Sequence, residues 1–248
     1  MYINLLKKSF RINSTVRPFK ERAVYLYILK IIANFFIPLF IMLRISSNSI
    51  TLLNFFIGCC ALFFIFNGNE SFLIHAILFY LFNRILDFCD GGVARLNKKK
   101  TFFGKFFDST SDIVIQVFFN FGVCYYFFSI NTDLKIFFLG IISSILMAFD
   151  FFIFDKFSSL VRWSNEENNK NFPPYIKIKN FNFIFNLFED VYFFGLLSFF
   201  LVSILLSNNL FSLKIILYII FYVTIFSSIF NFIRHFYFAH RFLNFRKR

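Results

Sequence analysis

The chain is predicted to be an all-α integral membrane protein: six transmembrane helices preceded by an interfacial amphipathic helix. Three observations predict this. Hydrophobic residues reach 58% and charged residues only 16%, against roughly 25% charged in soluble domains. Several apolar runs approach the ~20 residues a helix needs to cross a bilayer. The breaks between them are short polar clusters that supply turn chemistry and a solvated backbone, which hydrocarbon cannot.

The segments follow in order. Residues 1–22 read as a basic, polar N-terminal tail without the apolar centre of a cleavable signal peptide. Residues 23–45 are apolar enough to span, but a span here would invert every later segment and put Lys98-Lys99-Lys100 outside, against the positive-inside rule. Lys30, Asn34 and Pro38 recur every four residues and share one helix face. This segment is therefore read as the interfacial helix, its apolar side in lipid. The six spans are 49–67, 72–95, 104–128, 134–156, 189–206 and 212–234, a bundle over 49–234 in one membrane domain, with a basic tail at 235–248. The outer turns are Asn67–Ser71, Ser129–Asp133 and Ser207–Asn209, and the long connector 157–188 carries Pro173-Pro174. Only Lys135 and Lys214 fall near the outer side, so both termini are expected in the cytoplasm.

The net charge of +13 follows from this inside bias and from attraction to anionic headgroups. A nucleic-acid partner would need a soluble basic domain, which the chain lacks. The 48 Phe residues rise together with Ile, Asn and Lys, a compositional bias in which Phe serves as a lipid-compatible residue. Cys59, Cys60, Cys89 and Cys124 all lie in apolar segments without metal-site spacing and read as small hydrophobes.

The chemistry is concentrated in two adjacent segments. Asp87, Asp90, Asp108 and Asp112 are four of the 13 acidic residues, set at helix ends in apolar sequence. Each such carboxylate costs at least ~2.5 kcal/mol in a membrane helix, and four together repel, so a cation must compensate. Asp87, Asp90, Gly91 and Ala94 form one helical stripe; Gly104, Asp108 and Asp112 form another. The short loop 96–103 makes the two helices antiparallel neighbours with facing stripes. Oxygen-only donors at this density suit a hard cation, Mg2+ or Mn2+, with two ions expected. Small residues on the stripes leave room for a ligand, and Arg95 is placed to pair with phosphate or a carboxylate.

The spacing D-x2-D-G-x2-A-R-x8-G-x3-D-x3-D, met at all eight fixed positions, resembles the signature of the CDP-alcohol phosphotransferases (CDP-alcohol phosphatidyltransferases). That resemblance implies Asp87, Asp90 and Asp108 as metal ligands, with Asp112 joining them and acting as general base on the acceptor hydroxyl. It implies Gly91, Ala94, Arg95 and Gly104 along the CDP moiety, a homodimer, and Mg2+ or Mn2+ as cofactor. The implied reaction transfers a phosphatidyl or phosphoalcohol group from a CDP-linked donor to an alcohol, releasing CMP. It belongs to phospholipid or related polar-lipid synthesis in a bacterial-type inner or plasma membrane, with the active site cytoplasmic. The signature is shared by enzymes using CDP-diacylglycerol and by those using a CDP-headgroup, so donor and acceptor stay open. Asn48-Ser49-Ile50-Thr51 is similar to the family's P-N-x-x-T entry, with Ser47 in place of proline. Asn48 and Thr51 either border the nucleotide or cap the helix.

Other residues carry weaker readings. Arg84, one turn before Asp87, either offsets the carboxylates or contacts an acceptor phosphate. Lys105, Lys156 and Arg162 read first as snorkelling cations. Asp150 and Asp155 line a pocket or serve structure, and Glu189-Asp190 complement the N-terminus of the fifth span. His75, His235 and His240 are scattered without ligand spacing. An ion or metal transporter is the competing class, because intramembrane acids also mark ion pathways; it predicts acids spread across several spans.

Overall fold

The computed structural model describes residues 2–16, 23–97, 102–168, 179–205 and 210–245, with side chains left undescribed at 12–16, 102–103, 161–168, 179–185 and 238–245. The described residues form eight helices and no strand: α1 Tyr2–Val16, α2 Val24–Met42, α3 Ser47–Phe66, α4 Glu70–Leu96, α5 Phe102–Asn131, α6 Leu134–Asn168, α7 Lys179–Leu205 and α8 Leu210–Phe245. All except α1 are long and apolar enough to cross a membrane. Helices α3–α8 correspond to the six expected spans, and α2 is the borderline segment.

The turns follow from local chemistry. Asn69 accepts from Ser71 N at 3.1 Å and caps α4, after Gly68 has turned the chain with φ +70°, a conformation that only glycine adopts without steric cost. Asp133 accepts from Lys135 N and Ile136 N at the start of α6 and pairs with Lys214 Nζ at 2.9 Å, tying the α5–α6 turn to α8. Ser46 caps α3 by accepting from Ser49 N at 3.1 Å. The capping alternative for Asn48 therefore falls to Ser46.

Two apolar clusters hold the bundle. The larger joins α3, α4, α5, α6, α7 and α8 through residues such as Ile65, Tyr80, Phe119, Ile136, Phe199 and Phe221. The helices approach closely at small residues: a Cβ on Gly140 would collide with Cys124, and one on Gly122 would stand 2.6 Å from Ile65 Cγ2. Membrane helices associate by such small-residue contacts because lipid offers no hydrophobic drive between them. The smaller cluster joins Ala33 and Ile37 of α2 to Ile50 of α3 and to Leu86, Cys89 and Val93 of α4. Helix α2 thus packs on the C-terminal half of α4 and the start of α3. Its first amides, Val24 N and Tyr25 N, donate to Asp190 at 2.9 Å, and its far end leads into α3, whose Thr51 meets Asp90. Outward-facing Phe56, Phe63, Phe138 and Phe226 are exposed, the lipid-facing use expected of this residue.

The face of α2 that carries Lys30, Asn34 and Pro38 is buried in protein, with Ser9 Oγ of α1 donating to Asn34 Oδ1 at 2.7 Å. Three expectations are adjusted. Residues 2–16 are a helix rather than a plain tail, laid against α2 with Tyr2 OH on Phe35 O at 2.9 Å. Helices α6 and α7 run well into the expected 157–188 connector, and α8 runs through most of the expected C-terminal tail. Pro173-Pro174 and Lys98–Lys100 lie outside the described residues.

Candidate metal centre and adjoining cavity

Helices α4 and α5 run antiparallel, and their facing side chains meet in register. Tyr80 stacks on Phe119 with centroids 3.9 Å apart. One turn on, Arg84 reaches Asp112 at 3.7 Å. The Gln116 amide oxygen, oriented so that both ends of the amide are satisfied, accepts from the same guanidinium at 2.7 and 3.3 Å. Beyond that level come Asp87 and Asp90 of α4 with Asp108 of α5. The helical spacing i, i+3 on one strand of the pair and i, i+4 on the other puts all four acids on this seam.

Asp87, Asp90 and Asp108 each offer a carboxylate oxygen, and those oxygens lie within 4.8 Å of one another. Asp112 is not in that group; its Oδ1 faces Arg84 Nη1, while Arg84 Nη2 lies 3.5 Å from Asp87 Oδ2. Arg84 therefore bridges the expected base to the ligand cluster and offsets both carboxylates. Asp90 is buried, and Thr51 Oγ1 donates to its Oδ2 at 2.7 Å. Asp108 Oδ1 and Asp112 Oδ1 are buried oxygens without a hydrogen bond among the described residues. A buried carboxylate oxygen left in this state is costly, and the carboxylates of Asp87, Asp90 and Asp108, brought within 4.8 Å of one another, form the donor set of a hard divalent cation. The residues present fit Mg2+ or Mn2+.

The small residues divide their work differently from the sequence expectation. A Cβ on Gly91 would meet only the Arg95 guanidinium, 3.1 Å from Nη1, so Arg95 folds back over Gly91 and lies within electrostatic reach of Asp90 and Asp87. A Cβ on Gly92 would collide with Ile37 Cδ1 and stand 2.9 Å from Cγ1. Gly92, which sequence reasoning passed over, is where α2 closes onto α4. Ala94 and Gly104 are half-buried at the same end.

Behind Arg84 a cavity of about 290 Å³ opens among α2, α4, α5, α6, α7 and α8. Asp150 and Glu189 line it and Asp155 does not; Asp155 is exposed, and Asp150 Oδ2 accepts from Asn231 Nδ2 at 2.8 Å. Tyr192 of the same wall reaches Asn120 Oδ1 at 3.3 Å, and Asn120 donates to Ser143 and Ser144. Asp190 does complement a helix N-terminus, but that of α2; α7 begins earlier, at Lys179. A partner so distant in sequence leaves no local signature. Lys105 is exposed, and Lys156 lies over the Phe152 ring at 5.3 Å, in keeping with snorkelling cations. The side chains of Arg162 and His240 lie outside the described residues. His75 is exposed beside Phe64 and Phe72, and His235 Nδ1 sits 2.8 Å from Asn231 O.

The model of the protein family described as CDP-alcohol phosphatidyltransferase matches residues 44–230, from just before α3 to well inside α8. No match to a curated protein was found.

Proposed function

Since the chain belongs to the CDP-alcohol phosphatidyltransferase family, we propose that it transfers a phosphatidyl or phosphoalcohol group from a CDP-linked donor to an alcohol hydroxyl, releasing CMP. The observation that carries the reading is the carboxylate cluster: three acids from two helices with oxygens within 4.8 Å, and a fourth tied to them through Arg84. Asp87, Asp90 and Asp108 would hold two divalent ions, Mg2+ or Mn2+, with Asp112 completing the set. Bound there, the ions would supply charge neutralisation for the pyrophosphate oxygens, which is most of what such a displacement asks of a protein.

The chain's own residues do the rest. Thr51 fixes the Asp90 carboxylate. Arg84 pairs with Asp112 from the cavity side and holds this carboxylate beside the cluster, where it can accept the proton of an entering hydroxyl as the new bond forms. Gly91, Ala94, Arg95 and Gly104 border the CDP moiety, where Arg95 can leave Gly91 to pair with phosphate. The enzyme works as a homodimer in a bacterial-type inner or plasma membrane, in phospholipid or related polar-lipid synthesis, with both termini and the site cytoplasmic. The basic residues gathered at the carboxylate end support that orientation.

The test is CMP release by the purified protein in lipid nanodiscs, with CDP-diacylglycerol and with CDP-headgroup donors. Release should require Mg2+ or Mn2+ and fall by about 10²-fold or more in Asp112→Asn. Metal-independent release, or an Asp112→Asn variant with unchanged rate, would refute the assignment.

A further inference from the structure

We propose that the buried Asn54–Asn83 pair is a register lock between α3 and α4, and that both asparagines are positioning residues for the cation site. The inference rests on the metal reading of the carboxylate cluster and extends it to two side chains outside the ligand set. Asn83 Nδ2 donates to Asn54 Oδ1 at 2.7 Å and to Asn54 O at 3.0 Å, and both residues are 1% exposed. The pair lies on the α3–α4 seam next to the Thr51–Asp90 contact. Asn54 stands one turn after Thr51, and Asn83 one turn before Asp87.

Three helices close on this level. A Cβ on Gly58 of α3 would stand 3.0 Å from Asn83 Nδ2 and 2.7 Å from Ile115 Cδ1 of α5. Adjacent residues of α4 hold the two flanking helices: Asn83 takes α3, and Arg84 takes α5 through Asp112.

Stability alone explains the pair poorly. Asn54 Nδ2 and Asn83 Oδ1 are buried without a hydrogen bond among the described residues, and a buried polar atom in that state costs free energy. Hydrogen bonds between membrane helices contribute little net, because separated helices find other partners. Leucine branches as asparagine does, so an apolar pair would hold the helices at least as firmly. What the amides add is direction. To one side of them the seam is apolar, with Ala61, Ile65, Leu73 and Ala76; to the other lie Ile50, Leu86 and Val93. Apolar contacts are non-directional and tolerate a shift along the helix axis, whereas a buried asparagine specifies one register at a cost in stability. That register brings Thr51 Oγ1 to 2.7 Å from Asp90 Oδ2. A slip of one residue's rise, ~1.5 Å, breaks this hydrogen bond and frees a metal ligand to turn.

The full chain in nanodiscs is titrated with Mn2+ and followed by electron paramagnetic resonance, and its thermal midpoint is measured without metal. Asn54→Leu/Asn83→Leu removes both partners together, so the metal-free midpoint should hold or rise while the Mn2+ dissociation constant rises by about tenfold. In a Thr51→Val background the same pair of changes should weaken binding by less than about twofold further, because the pair acts through Thr51. Should the double variant fail to fold, Asn54→Leu alone, which leaves Asn83 Nδ2 its bond to Asn54 O, decides on the same readouts. Mn2+ affinity kept within about twofold, a midpoint that falls together with affinity, or full additivity with Thr51→Val overturns the register lock and leaves the metal site standing. No saturable Mn2+ binding by the unaltered protein overturns both.

Discussion

Replacing Thr51 by valine removes one oxygen and almost nothing else. The two side chains are nearly the same shape, and the cap of α3 belongs to Ser46, so the helix keeps its start. The main loss is the 2.7 Å hydrogen bond to Asp90 Oδ2 in a buried setting, alongside the hydroxyl's longer 3.0 Å contact with Ser47 O in its own helix. A hydrogen bond to a charged group contributes about 1.5–3 kcal/mol. At ~1.4 kcal/mol per factor of ten, the carboxylate loses about ten- to a hundredfold of its hold on geometry, the range by which partners of metal ligands tune affinity. Titrating Mg2+ or Mn2+ into the CMP-release assay reads this directly: the activation midpoint of Thr51→Val should rise by about that factor, and Thr51→Ser, which keeps the hydroxyl, should stay close to the starting protein. An unchanged midpoint in Thr51→Val would refute the view that Thr51 positions a metal ligand.

Other perturbations follow from the same contacts. Gly92→Val drives a branched side chain into Ile37 and should cost about 1–3 kcal/mol by overpacking, read as a lower thermal midpoint in nanodiscs; Gly91→Ala, which meets only the far end of the Arg95 side chain, should spare the midpoint. Asp190→Ala strips both acceptors from the first amides of α2, a cap loss of ~0.5–2 kcal/mol, and should speed hydrogen exchange at Val24 and Tyr25. On the far side, Lys214 holds the Asp133 carboxyl below the usual carboxylate range, chiefly through their hydrogen bond. The folded pKa being lowered, this contribution is present above the ordinary aspartate pKa and is lost as pH falls through the depressed value. It is a surface pair, so the effect is roughly 0.2–1 kcal/mol: the midpoint gap between the starting protein and Asp133→Asn should close on acidification below about pH 4.

The carboxylate seam was legible because helical periodicity and a short loop suffice to place Asp87, Asp90, Asp108 and Asp112 on facing stripes, and four acids in apolar sequence demand a compensating cation. The six spans were legible for a similar reason: length and hydropathy act locally. What sequence left out depends on partners far along the chain. Asp190 caps α2 across more than 160 residues. Gly92 is defined by Ile37 from another helix, and the polar face of α2 is buried because α1 covers it. The cavity behind Arg84 draws its walls from six helices, so no single stretch announces it. Asp112 stands in one row with Asp108 by spacing, yet it falls outside the three-acid group and pairs with Arg84 at the cavity.

The most direct test of the central claim is Mn2+ binding itself, followed by electron paramagnetic resonance on the purified protein. Saturable binding is expected, weakened by about tenfold or more in Asp90→Asn and in Asp108→Asn. Binding that both variants retain at full strength would show that these helices do not share a cation.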